Sequence, residues 1–210
     1  MIRILIADDH AIVREGLKQI IADMPDLVVT GEAENGQEVL ALVSKGDFDV
    51  ILLDLAMPGR GGLDTLKQLK GERPELPVLI LSMYPEEQYA IRALKAGASG
   101  YLTKESAPDE LITALKKVTR GGKYISSSLA EKLAFYLEVD TEKLPHETLS
   151  HREFQVMNMI AIGKTVTEIA DKLSLSVKTI STYRSRILEK MNLKNNSELT
   201  HYAIKHGLVE

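Results

Sequence analysis

The 210-residue chain reads as an α/β protein: a doubly wound, five-stranded parallel sheet, followed by a small all-α domain of four helices. Three observations predict this. Across residues 1–120, five short runs rich in Val, Ile and Leu alternate with helical patterns. These runs are apolar almost throughout, as strands are when crossover helices cover both faces of a sheet. From residue 148 onward the strand pattern stops and only capped helical periods remain. Between the two lies EVDTEKLPHE (138–147), acidic, containing Pro145 and lacking an apolar period, which marks a linker.

The strands are IRILIA (2–7), LVVTGEA (27–33), DVILLD (49–54), VLILS (78–82) and GYLTK (100–104). Helices are expected over 11–22, 36–44, 62–70, 86–96 and 108–119. Successive βα units favour the sheet order 2-1-3-4-5, in which the first and third strands are neighbours. The segment GGKYISSSLAEKLAFYL (121–137) reads as a turn and a short helix, with Ser128 and Glu131 as a capping box. In the last third, Ser150 with Glu153 opens a helix to about Ile162, where Gly163 stops it. Thr165 with Glu168 opens a second, ending near Leu173, and Ser176 caps a third running to about Met191. Ser197 caps a fourth that reaches about His206 and closes at Gly207. Helix, short turn, helix over 165–191 is the layout of a helix-turn-helix. The expected divisions are 1–121 for the sheet domain, 122–147 for the connecting segment and 148–210 for the helical domain.

Composition narrows the function. Hydrophobic residues make up 44% of the chain, enough for two cores. The absence of cysteine excludes a disulfide framework, a thiolate-held metal and a cysteine nucleophile. No stretch approaches the roughly 18 uncharged apolar residues of a membrane span. Arg3, Asp8 and Asp9 interrupt the N-terminus too early for a signal peptide. The expected setting is therefore the cytoplasm, with no membrane partner. The net charge of −4 conceals an asymmetry: residues 1–120 carry 14 basic and 19 acidic residues, whereas residues 148–210 carry 9 basic and 6 acidic. Only the last third has a basic excess, which points there, and not elsewhere, for nucleic acid.

The chemistry collects at strand ends. The first strand runs into Asp8 and Asp9, two adjacent carboxylates with no basic residue beside them until Arg14. The third strand ends at Asp54, the fourth at Ser82 and the fifth at Thr103-Lys104. With strands one and three adjacent, three carboxylates converge at one edge of the sheet, and a hard dication such as Mg²⁺ relieves their repulsion. Carboxylate, metal, hydroxyl and lysine are the parts needed to move a phosphoryl group: a carboxylate nucleophile forms an aspartyl phosphate, and the cations neutralise the transferring oxygens. His10 is expected to be a first-turn helix residue rather than a ligand. A Mg²⁺-dependent phosphohydrolase would use similar parts. It would usually want its two carboxylates as Asp-x-Asp on one loop, and it would leave the helix-turn-helix without a task.

Residues 1–120 resemble a response-regulator receiver domain through Asp8-Asp9, the DLAMPG run containing Asp54, the hydroxyl of Ser82, and GASGYLTK with Tyr101 and Lys104. The resemblance implies that Asp54 is the phosphoacceptor, with Ser82 and Lys104 assisting. It implies Mg²⁺ on Asp9, Asp54 and the backbone carbonyl of Ala56, with Asp8 acting through water. Ser82 and Tyr101 would form the switch pair, the ring following the hydroxyl when it moves to the phosphoryl group. The only catalysis implied is of the chain's own Mg²⁺-dependent phosphorylation and dephosphorylation. Two positions depart from the common pattern: Glu105 where many receivers have proline, and Met83 where alanine is frequent. Met83 is expected to narrow the path of small phosphodonors and water.

In SVKTISTYRSRILEKM (176–191), at about 100° per residue, Val177, Ile180, Ile187, Leu188 and Met191 form one stripe. Opposite lie Lys178, Ser181, Thr182 and Ser185, with Arg186 at the margin and Thr179, Tyr183 and Lys190 flanking. Small hydroxyls with a lysine and an arginine suit a major groove, the cations on phosphates and the hydroxyls toward base edges. Arg184 falls within the apolar stripe and needs a partner, for which Glu168 is the candidate. LSHRE, Gly163, TEIADKL, SVKTIS and the Tyr-Arg run at 183–184 resemble the LuxR-type helix-turn-helix. A receiver joined to that output resembles the NarL/FixJ-type response regulators, and SELTHYAIKHGL (197–208) is similar to their GacA/UvrY branch. The resemblance implies a sensor histidine kinase as phosphodonor and a homodimer on an inverted-repeat site in double-stranded DNA. In the fourth helix Leu199, Tyr202, Ala203 and His206 share a stripe, expected to pack within the domain, with pairing between protomers as the alternative.

Overall fold

The computed structural model describes residues 1–84, 86–126, 129–131 and 144–209. The chain falls into two compact units, Met1–Glu138 and Val139–Glu210.

The first unit alternates strand and helix: β1 (Ile2–Ala7), α1 (Ala11–Ala22), β2 (Leu27–Ala33), α2 (Gly36–Lys45), β3 (Val50–Asp54), α3 (Gly62–Glu72), β4 (Val78–Ser82), α4 (Glu86–Lys95), β5 (Gly100–Thr103) and α5 (Ala107–Val118). All strand pairs are parallel and the order is β2-β1-β3-β4-β5, as expected. The central strands β3 and β4 are buried at every position, the reason their sequences are apolar throughout instead of alternating. One face of the sheet packs Ile4, Ile6, Leu52, Leu79 and Leu81 against Leu17 and Ile21 of α1 and Leu111 and Leu115 of α5. Each such side chain contributes about 1.5–3 kcal/mol on burial. The register sets Ala7 opposite Leu53, Asp54 opposite Leu81 and Ser82 opposite Thr103. The carboxyl ends of β1, β3, β4 and β5 therefore finish at one rim.

After α5 the chain turns at Gly121, whose φ of +83° only glycine adopts without strain. Tyr124 then runs parallel to β5: its N–H donates to Ser99 O at 2.9 Å. This short pairing has no periodic signal in the sequence. The expected cap Ser128 lies outside the described residues, as does the linker as far as residue 143. Within them, Ser126 Oγ accepts the N–H of Leu129 at 3.1 Å.

The second unit opens with a 3₁₀ turn, Pro145–Thr148, and continues as α6 (His151–Ala161), α7 (Val166–Leu173), α8 (Val177–Lys190) and α9 (Asn196–Lys205). Ser150–Glu153 and Thr165–Glu168 form full capping boxes, and Ser176 accepts the N–H of Thr179 at 3.0 Å. The fourth cap is Asn195 and not Ser197: Asn195 Oδ1 accepts from Glu198 N at 3.0 Å, while Glu198 Oε2 accepts from Lys194 N at 2.8 Å. An asparagine caps as well as a serine, and the glutamate three residues on selects the earlier residue. Phe154, Met157, Ile169, Ile180, Ile187, Leu199 and Ala203 form the core of this unit. The α9 stripe packs inside the unit: Leu199 and Ala203 are fully buried, and Tyr202 Oη lies 2.9 Å from His146 Nδ1. Among the described residues no helix is long and apolar enough to cross a membrane.

Candidate functional site

Asp8 and Asp9 follow β1, Asp54 ends β3, Ser82 ends β4 and Lys104 follows β5. The Lys104 ammonium lies between two carboxylates, 2.6 Å from Asp8 Oδ2 and 2.8 Å from Asp54 Oδ2. Asp8 and Asp54 are buried, and Asp9 is half-buried. Ligand atoms of Asp8, Asp9, His10 and Asp54 all fall within 4.8 Å of one another. The backbone fixes two of the carboxylates: His10 N donates to Asp8 Oδ1 at 2.8 Å, and Ala56 N donates to Asp54 Oδ1 at 3.1 Å.

One ammonium between two buried carboxylates leaves the cluster negative before Asp9 is counted. Burial holds the Asp54 carboxyl above the ordinary range; Lys104 opposes this and the Asp8 charge adds to it. Burial alone would lower Lys104, but Asp54 and Asp8 outweigh it and hold the ammonium above its usual value. Asp8 Oδ2 and Asp9 Oδ1 are buried without an aligned hydrogen bond. The first has the ion pair with Lys104; the second has the His10 ring nitrogen at 2.9 Å. Carboxylate oxygens with spare acceptor capacity, converging in a negative site, fit a hard dication that prefers oxygen ligands and retains water.

His10 differs from expectation. It is the residue before α1, extended at φ −96° and ψ 108°, and its Nδ1 lies 2.9 Å from Asp9 and 3.2 Å from Asp8. The turn between β1 and α1 folds the ring back onto the carboxylates, a turn that helical periodicity does not report. Arg14, noted in the sequence only as the first basic residue after the pair, is buried against the same turn.

Ser82 and Tyr101 meet at one stretch of backbone. Ser82 Oγ accepts the N–H of Tyr84 at 3.2 Å, and the Tyr101 hydroxyl donates to the carbonyl of Tyr84 at 2.8 Å. The Tyr101 ring is buried, and burial pushes its phenol well up, a hydrogen bond with Ser82 opposing. Met83, between them in sequence, turns outward and is 72% exposed.

On α8, Lys178, Ser181, Thr182, Ser185 and Arg186 are exposed, and Thr179 is half-buried with its hydroxyl 2.8 Å from Ser176 Oγ. The hydroxyls of Ser181, Thr182 and Ser185 donate to carbonyls one turn back at 2.9, 2.9 and 3.1 Å, leaving their lone pairs outward as acceptors. Two expectations fail on this helix. Val177 is 44% exposed, because it is the first helical residue and lies beyond the reach of the core. Arg184 is half-buried and donates from Nε to Asn196 Oδ1 at 2.7 Å; Glu168 is engaged in its own capping box with Thr165. The start of α9 comes closer to Arg184 than the angular projection of a single helix can show.

A parallel 2-1-3-4-5 sheet with carboxylates and a lysine at its carboxyl rim, in one chain with a capped helix-turn-helix unit, defines a two-component response regulator. The family model for the response regulator receiver domain matches residues 4–116, and that for bacterial regulatory proteins of the luxR family matches residues 147–203. Response regulator UvrY of Escherichia coli (strain K12) is 38% identical over 209 residues, covering 99% of this chain and 96% of its own. Response regulator GacA of Pseudomonas protegens is 40% identical over 210 residues, covering 100% and 99%. RcsB of Salmonella enterica serovar Typhimurium, solved bound to promoter rprA with the phosphomimetic BeF₃⁻, is 30% identical with a TM-score of 0.63, covering 96% and 98%. The chain belongs to the response regulators that join a receiver domain to a LuxR-type DNA-binding domain, with UvrY and GacA among its relatives.

Proposed function

We propose that this regulator takes a phosphoryl group onto Asp54 from the phosphohistidine of a sensor histidine kinase and controls transcription through α8. One observation carries the reading: the Lys104 ammonium within 2.6 and 2.8 Å of the Asp8 and Asp54 carboxylates, at a rim where Asp9 also stands. A carboxylate oxygen of Asp54 attacks phosphorus, the P–N bond breaks, and the leaving imidazole keeps the electron pair and takes up a proton. Lys104 neutralises charge on the transferring oxygens. Asp9, Asp54 and the Ala56 carbonyl, with Asp8 through water, would hold a Mg²⁺ ion, which supplies further neutralisation of the phosphoryl oxygens. Ser82 then exchanges its bond from Tyr84 N for one to a phosphoryl oxygen, and the buried Tyr101 ring stabilises that arrangement.

On the output side, Lys178 and Arg186 contact phosphates, while Ser181, Thr182 and Ser185, with Thr179 at the margin, present acceptors to base edges. Solved RcsB structures include two RcsB dimers bound to two parallel DNAs. By that likeness the chain works as a homodimer on DNA. The proposed site is an inverted-repeat promoter, reached in the cytoplasm. Phosphorylation raises DNA affinity, with a coupling of about 1–3 kcal/mol.

The test is intact-mass spectrometry after incubation with a phosphohistidine donor and Mg²⁺, followed by gel shifts with beryllofluoride. The expected result is one phosphoryl group on the wild type, none on Asp54→Ala, and tighter DNA binding with the mimic. Equal phosphoryl uptake by Asp54→Ala would overturn the assignment.

A further inference from the structure

We propose that Arg14 is the positioning residue of the acidic pair: its guanidinium holds the Asp8–Asp9 peptide and so sets where both carboxylates stand. The inference rests on the reading of this rim as a metal-dependent phosphoryl-acceptor site.

Arg14 lies one turn into α1 and is only 8% exposed, an unusual place for a guanidinium. Its planar fork is occupied in three directions. Nη1 donates to the backbone carbonyl of Asp8 at 2.7 Å, Nε to Glu32 Oε2 at 3.2 Å, and Nη2 to Glu34 Oε1 at 2.8 Å. Two glutamates at the end of β2 thus compensate the buried charge, as such burial requires. The Nη1 bond goes to a peptide carbonyl and not to the carboxylates of Asp8 or Asp9. Arg14 therefore does not compete with Lys104 or a metal ion for those oxygens.

The carbonyl needs that donor. Asp8 N still belongs to the sheet, donating to Ala33 O at 3.1 Å. Beyond that bond the chain leaves the ladder, and without Arg14 the Asp8 carbonyl would be a buried acceptor with no partner among the described residues. Arg14 satisfies it with a charge-assisted bond, while His10 N holds Asp8 Oδ1 and Lys104 pairs with Oδ2. Removing Arg14 frees the one hydrogen bond that, among the described residues, holds the peptide joining Asp8 to Asp9. Rotation of that peptide swings the Asp9 side chain, which meets only the His10 ring among the described partners. The neighbouring glutamates cancel the charge of Arg14 locally, so its effect on the site is one of position.

The experiment compares wild type, Arg14→Met and Arg14→Lys by thermal melt, Mg²⁺ calorimetry and amide NMR. Titrations are run well below each melting temperature. Arg14→Met should weaken Mg²⁺ binding by about 10–100-fold, the usual cost of losing a group that orients a ligand. Its Asp9 and His10 amides should shift without metal while those of β3 stay in place. Arg14→Lys, which keeps one donor for the carbonyl, should recover part of both. A variant that melts lower yet binds Mg²⁺ and keeps its Asp9 amide as the wild type does would overturn the proposal. Failure of the wild type to bind Mg²⁺ would instead count against the reading of the site. In that event the metal-free Asp9 and His10 shifts still decide the role of Arg14, and Arg14→Lys supplies them should Arg14→Met not fold.

Discussion

Gly62→Ala tests whether the rim depends on close packing behind it. α3 begins directly under the end of β3: a Cβ placed on Gly62 would stand 2.1 Å from the Asp54 carbonyl oxygen and 2.7 Å from the Leu55 Cα. Real Cβ atoms essentially never come closer than 3.0 Å, and backbone cannot rotate out of the way as a flexible side chain can. Either the start of α3 or the Asp54–Leu55 peptide must therefore retreat by about 1 Å, at an overpacking cost of about 1–3 kcal/mol. At roughly 4 °C per kcal/mol, the receiver should melt several degrees lower. Displacement by about 1 Å of a group that must align with phosphorus should slow phosphoryl uptake about 100-fold. Gly71→Ala is the internal control, near the other end of α3, where nothing lies within 4 Å of the added methyl. That change should leave the rate unaltered and stabilise the helix by about 0.5–1 kcal/mol. Initial rates of acyl phosphate formation on phosphate-affinity gels, with melts recorded in parallel, read both variants. Wild-type labelling and an unchanged melt for Gly62→Ala would refute the reasoning.

Lys178→Ala should weaken binding to all DNA sequences alike and reduce the salt slope of log affinity by about 1, measured by gel shifts over a salt series; an unchanged slope would remove Lys178 from the phosphate contacts. Burial alone would raise the Glu153 carboxyl, but Lys190 Nζ at 2.7 Å and the Ser150 N–H outweigh it and hold it below the usual value. Glu153 therefore stabilises the output unit above its unfolded pKa of about 4.3, and that stability is lost as pH falls through the lower folded value. Lys190→Met should raise the acid-unfolding midpoint followed by circular dichroism. At pH 7 it should cost on the order of 1 kcal/mol, a figure discounted because Lys190 is 42% exposed. Met83→Ala should shorten the half-life of phospho-Asp54 and speed uptake from small donors; equal half-lives would show that this outward-facing side chain does not obstruct the path.

The capping residues show what was legible locally. Ser150, Thr165 and Ser176 are legible as caps because a cap and its glutamate or its N–H partner lie three residues apart, within one turn. Asn195 caps where the sequence favours Ser197, because two good caps stand close together and only the Glu198 bonds separate them. Val177 lies on the apolar stripe yet is exposed, because angular position on one helix ignores how far along its axis the core extends. Arg184 pairs with Asn196 and not with Glu168, because the rest of its neighbourhood comes from another helix.

By itself the sequence determined the alternation of strands and helices, most of the caps, and the placing of a carboxylate, hydroxyl or lysine at the ends of four of the five strands. All of these are recorded within a few residues by periodicity and side-chain chemistry. Only the tertiary structure decided which groups meet: Lys104 with Asp54, 50 residues earlier, His10 folded back on Asp9, and Arg14 holding the Asp8 carbonyl from a helix while anchored at the end of β2. Such contacts follow from register and packing between distant segments, where a shift of one ångström changes a partner and leaves the local pattern unaltered.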